Sequence, residues 1–206
     1  HDHGNEGNQP IIWLDVLDLP LCEALNATEF EFGLTDSADA AATHLAVADG
    51  PSVQAIKVPS GHSTSLYATG GLRPKFDTAA RGKGIGTPMF IYRWEETRAA
   101  LDRLRSYDGS PYDGVILQYT DPVSGGPVTP TMSFTVQLLR PGEETKSHRH
   151  TSSVAYCCIE GSGVTRIEGD EIRWGRNDVF VIPAWYWHEH VNASKSGDAI
   201  LYAVDD

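Results

Sequence analysis

The stretch PTMSFTVQLLRPGEETKSHRHTSS, residues 130–153, decides how this chain folds. Its first half, from Ser133 to Leu139, is a β-prone run stopped by the breaker pair Pro141-Gly142. Its second half carries His148-Arg149-His150. On an extended strand two side chains two positions apart project to one face, so this pair can reach a common target. The pattern continues downstream. Residues 154–159 form another run that ends at Gly161. Residues 164–167 turn through Glu168-Gly169-Asp170 into 171–174, which reads as a hairpin. Residues 178–182 stop at Pro183, and 199–204 form the last run. Short strands with turn signals at regular spacing predict an all-β unit over 110–206, an antiparallel barrel or jelly roll.

Upstream the pattern changes. Residues 21–109 are less regular, with Gly, Pro, Ser and Ala prominent from Thr35 to Pro88 and with Gly70-Gly71 and Gly82-Lys83-Gly84 as breakers. One helix is expected, over about 94–105. Trp94, Leu101 and Leu104 share a face, Glu95 and Glu96 open it, and Arg103 and Arg105 close it. This stretch reads as a connector without chemistry. Residues 1–20 include the apolar run 10–17, which reads as a strand closing a barrel whose earlier strands lie outside the chain. The string His1-Asp2-His3-Gly4-Asn5 returns as His188-Glu189-His190-Val191-Asn192. Both copies have the spacing His-x-His-x-Asn with an acid between the histidines. Repetition at such range suggests a duplicated domain.

Composition narrows the function. A formal net charge of -12 on 206 residues argues against nucleic acid and anionic membrane as partners. No apolar run approaches the roughly 18 residues that span a bilayer. The N-terminus is His1 rather than Met, which suggests a fragment or trimmed numbering. Cysteines are few, and adjacent Cys157 and Cys158 would point to opposite faces of a strand, so a reduced, cytoplasmic setting is expected.

The chemistry sits on His148, His150 and His188, whose spacing at the strand ends of one barrel suits a metal ion. Imidazole accepts iron, zinc, copper or nickel. Three histidines with an open position also describe a hydrolytic zinc site. Trp185, Tyr186 and Trp187 read as core packing, as an interdomain contact or as an aromatic wall for a ring substrate, while Arg149, Arg166 and Arg173 are candidates for clamping a carboxylate.

Gly142, His148, His150 and Gly161 fit the first motif of the cupins, and Pro183, His188 and Asn192 fit the second. The usual glutamate ligand falls at Val154, and the usual glycine before the second histidine motif is Trp185. More narrowly, the chain resembles the bicupin gentisate 1,2-dioxygenases and their salicylate and 1-hydroxy-2-naphthoate relatives. The resemblance is carried by HDHGNEGNQPIIWLDVLDLPL at 1–21, by 130–153 and by 174–206. It implies that 1–20 end an N-terminal cupin, 21–109 connect the two, and 110–206 are the C-terminal cupin.

The resemblance also implies a function. The enzyme would be an Fe(2+)-dependent, ring-cleaving dioxygenase acting on gentisate or a related hydroxybenzoate, with maleylpyruvate as the product from gentisate. Its partners would be a small aromatic acid and dioxygen, and its state a homo-oligomer, commonly a tetramer. His1 matches the third ligand of the N-terminal ferrous ion, whose first two ligands form an upstream His-x-His absent from this chain. His3 and Asp15 match residues that position and deprotonate the substrate. A carboxylate on His3 would fix its tautomer and raise its basicity. His148, His150 and His188 match the histidine set of the C-terminal cupin. The competing reading is a non-catalytic cupin module with a structural metal or none. Ligand histidines must be neutral, so metal should be lost below about pH 6.

Overall fold

The structure, a computed structural model, describes residues 4–25, 91–121 and 126–206. The chain divides into two units, His1–Glu31 and Phe32–Asp206. In the first, residues 4–18 are irregular and lead into the helix α1 (Leu19–Ala24), which has a proline in its first turn. The strand expected over 10–17 is therefore corrected. An extended run holds only when its amides and carbonyls pair with a neighbour. No ladder among the described residues includes this one, and its apolar side chains stand open, Ile12 at 88% and Leu17 at 65% exposure.

The second unit contains α2 (Trp94–Leu104) and eight strands: β1 (Val115–Gln118), β2 (Ser133–Leu139), β3 (Val154–Glu160), β4 (Ser162–Ile167), β5 (Asp170–Gly175), β6 (Val179–Ile182), β7 (His188–Val191) and β8 (Ala199–Asp205). They build a five-stranded sheet, β1-β2-β8-β3-β6, and a three-stranded sheet, β5-β4-β7. Every pairing is antiparallel. The fold is the all-β cupin architecture expected from the strand spacing.

The central strands β2 and β8 of the larger sheet bury apolar side chains on both faces. Val136 and Leu138 of β2 and Ile200 of β8 meet Leu101 of α2 and Val115. Leu139, Leu201 and Ala203, offset by one position, join Val154, Tyr156, Trp174, Phe180 and Ile182 in the core between the sheets. The β4–β5 hairpin closes at Glu168 and Gly169, whose φ values of 49° and 96° are both left-handed. Such a two-residue turn matches the twist of the strands it joins. At Gly163 of β4 a Cβ would sit 2.4 Å from the Val191 carbonyl oxygen and 2.5 Å from the Trp174 ring, so only glycine lets β7 approach. The three cysteines are free, with Cys158 buried and its neighbour Cys157 half-buried on the other face.

Candidate metal centre

His148 and His150 lie not on a strand proper but on the extended segment between β2 and β3. Cross-pairing fixes them there. The His148 amide donates to the His188 carbonyl and the His188 amide to the His148 carbonyl, each at 2.9 Å, and the Trp185 amide donates to the His150 carbonyl at 2.7 Å. His188 opens β7, on which positions 188 and 190 both point into the barrel. The three rings of His148, His150 and His188 meet with centroids 4.3 to 5.6 Å apart.

Their hydrogen bonds show which nitrogens face the centre. Nδ1 of His148 lies 3.4 Å from the Lys146 carbonyl, Nδ1 of His150 lies 3.0 Å from the Ser152 carbonyl, and Nδ1 of His188 lies 3.0 Å from the Tyr186 carbonyl. A carbonyl only accepts, so each Nδ1 carries the hydrogen and each Nε2 keeps its lone pair. Nε2 of His188 is buried and has no hydrogen-bond partner among the described residues. One ligand atom from each ring lies within 4.8 Å of the others. Converging lone pairs around an orphaned buried acceptor are what a cation needs, so the residues fit a metal ion. Burial pushes the His188 pKa down to about 4, with His148 and His150 pushing the same way and the Tyr186 carbonyl and Asp113 opposing. His188 thus stays neutral, and able to bind metal, well below pH 6.

The sequence reading missed a layer behind this triad. His190 is fully buried, with Nδ1 2.8 Å from the Thr165 hydroxyl, which also accepts from Trp174 Nε1 at 2.8 Å. Its pKa is pushed down to about 3, first by burial and then by His188 and His148. The signal was present in the repeated string, since His190 stands two positions from His188. Asn192, the last member of that string, is structural. Its amide donates to the carbonyls of Leu139, Arg140 and Gly197 at 2.9 to 3.0 Å and ties the end of β2 to the β7–β8 turn.

Of the other expected residues, His1 and His3 lie outside the described residues, and Asp15 is exposed in the irregular stretch of the first unit. Val154, at the position of the family glutamate, is buried and apolar. Trp185, where the cupin pattern usually has glycine, has a left-handed backbone with φ 68°, a conformation glycine adopts without strain. Trp185, Tyr186 and Trp187 are about half exposed rather than core. The Arg149 guanidinium lies 4.4 Å from the Trp185 ring centre and 4.7 Å from that of Trp187. Arg166 is paired with Glu144, Glu171 and Glu189, and Arg173 with Glu171.

Two antiparallel sheets with inward histidines from the β2–β3 segment and from β7 define a cupin, and the cupin-domain family model matches residues 135–205. The chain belongs to the gentisate 1,2-dioxygenase family. A 5-aminosalicylate 1,2-dioxygenase of a Comamonas species is 39% identical over all of this chain and 49% of its own length. A gentisate 1,2-dioxygenase of Aquipseudomonas alcaligenes is 34% identical over all of this chain and 53% of its own. The crystal structure of salicylate 1,2-dioxygenase from Pseudoaminobacter salicylatoxidans with gentisate aligns at TM-score 0.54 and 26% identity, over 70% of this chain and 39% of that one. The chain spans about half the length of the curated relatives it matches.

Proposed function

We propose that this chain is part of an Fe(2+)-dependent dioxygenase that cleaves the ring of gentisate or a related hydroxybenzoate. Both oxygen atoms would enter between the carboxyl-bearing and hydroxyl-bearing carbons, giving maleylpyruvate from gentisate. The observation that carries the reading is a cupin with three histidine ligand atoms within 4.8 Å of one another in a chain whose relatives are dioxygenases of such acids. A bound ferrous ion would supply adjacent open positions at which a hydroxy acid and dioxygen meet.

The protein's own residues do the rest. In the barrel that His1 belongs to, His1 supplies a neutral imidazole ligand. His3, oriented by Asp15, takes the phenolic proton and holds the substrate. In the barrel described here, His148, His150 and His188 hold metal with their Nδ1 hydrogens locked to carbonyls. Exposed Val179 and Val181 on the edge strand β6 support a homo-oligomer, and three free cysteines support a cytoplasmic setting. No helix among the described residues is long and apolar enough to cross a membrane. Dioxygen uptake on gentisate tests the reading. Metal-loaded protein of the relatives' length that consumes no dioxygen with any hydroxybenzoate would leave the non-catalytic module as the answer.

A further inference from the structure

The three histidines come from two separate segments, and one further side chain bridges those segments. Arg149 stands between His148 and His150, and successive side chains of an extended segment alternate in direction. Its guanidinium lies 4.4 Å from the ring centre of Trp185 and 4.7 Å from that of Trp187, the residues that lead into His188. The contact therefore joins the segment with two ligands to the segment with the third. Among the described residues no carboxylate pairs with Arg149, whereas Arg166 and Arg173 are both paired with glutamates. The two ring faces, whose quadrupole attracts a cation, are the partners its charge has.

Both indoles are held from behind. The Trp187 amide donates to Glu168 Oε1, and the Glu168 amide donates to the Trp187 carbonyl, each at 3.0 Å. The Trp185 amide donates to the His150 carbonyl at 2.7 Å. Trp185 also keeps φ 68°, a conformation that strains any residue with a Cβ. Such strain persists only where the surroundings over-determine it. At 53% exposure the Trp185 ring gains little from burial in a core. What it gains is the guanidinium.

We propose that Arg149, gripped by Trp185 and Trp187, is a positioning residue that holds the two ligand-bearing segments in register, so that His148, His150 and His188 are arranged for a metal ion before it arrives. The proposal rests on the reading of those histidines as metal ligands. Where binding itself must bring segments together, the cost of ordering them subtracts from affinity. The clasp orders them in the metal-free protein instead. It also gives a reason for an indole at the position where cupins usually have glycine.

The test is titration of the metal-free 206-residue chain with Co2+, paired with urea denaturation of the same proteins. Arg149→Ala should bind Co2+ roughly 10-fold more weakly, the scale of two cation–π contacts. Arg149→Lys keeps a cation against the rings and should recover part of the affinity. Arg149→Met keeps the apolar stem without the charge and should not. Trp185→Gly separates positioning from stability. Glycine relieves the left-handed strain, so the urea midpoint should stay near that of the parent while Co2+ affinity falls, by a smaller factor than in Arg149→Ala. The double variant should bind like Arg149→Ala alone, because the two residues act through one contact. An Arg149→Ala affinity within about twofold of the parent, or losses that multiply in the double variant, would overturn the clasp. Equal affinities of the Lys and Met variants would overturn it as well. No Co2+ uptake by the parent chain would instead overturn the three-histidine reading itself.

Discussion

His188 and His190 stand side by side on the inner face of β7, and burial keeps both neutral. In the unfolded chain each takes up a proton near the ordinary value of about 6.5, whereas in the folded chain they do so only near 4 and 3. Between those limits the unfolded state binds more protons, so stability is full above about pH 6.5 and falls as pH drops through about 4. The His188 shift alone is on the order of 3 kcal/mol. Urea midpoints of the metal-free protein from pH 7 to pH 4 should therefore decline, and His190→Leu should decline less steeply. A flat profile for the parent would contradict the buried neutral pair. His148→Ala should abolish metal uptake by this barrel, as iron per chain by elemental analysis will show. Unchanged iron would remove His148 from the ligand set. Much of this site was legible in the sequence, because His148, His150 and His188 announce themselves by spacing. Asp113, whose Oδ1 lies 3.8 Å from Nε2 of His148, did not, since that pairing exists only after a turn 35 positions upstream is fastened to the histidine segment.

Among the elements, legibility followed which faces are apolar. β2 and β8 bury residues on both faces and β3 alternates buried with half-buried positions, so all three read as apolar runs, and the β4–β5 hairpin declared itself through its turn. β7 was not recognised as a strand. Its inward positions are His188 and His190, so a polar site occupies the places where a strand normally shows its apolar alternation. Residues 10–17 failed in the opposite sense, since an apolar run predicts a strand only where a partner strand exists. The placement of α2 and β7 separates two mutational outcomes. Leu101 is fully buried between α2 and the outer face of the larger sheet. Leu101→Ala should cost about 3 kcal/mol by urea denaturation while leaving Co2+ affinity unchanged. Gly163→Ala drives a methyl group into the Val191 carbonyl and the Trp174 ring. It should cost a similar amount, about 1–3 kcal/mol, and also weaken Co2+ binding by displacing the strand that carries His188. Equal metal affinity in both variants would show that β7 does not position the site.

At the scale of the whole molecule, the repeated His-x-His-x-Asn string supports the proposed reading of a duplicated domain, and the chain spans about half the length of its relatives. The barrel described here has a triad, a buried histidine behind it and a carboxylate beside it. In the proposed reading, a barrel completed by His1 would have three neutral histidines, with His3 and Asp15 to manage the substrate proton. A ferrous ion ligated only by neutral groups keeps its full charge and attracts a chelating anion. Dioxygen uptake on gentisate should therefore require a chain extended upstream by the His-x-His that completes the His1 site. The 206-residue chain should take up metal without consuming dioxygen. Iron analysis paired with an oxygen electrode on the two chains decides this. Uptake by the shorter chain would move catalysis to His148, His150 and His188.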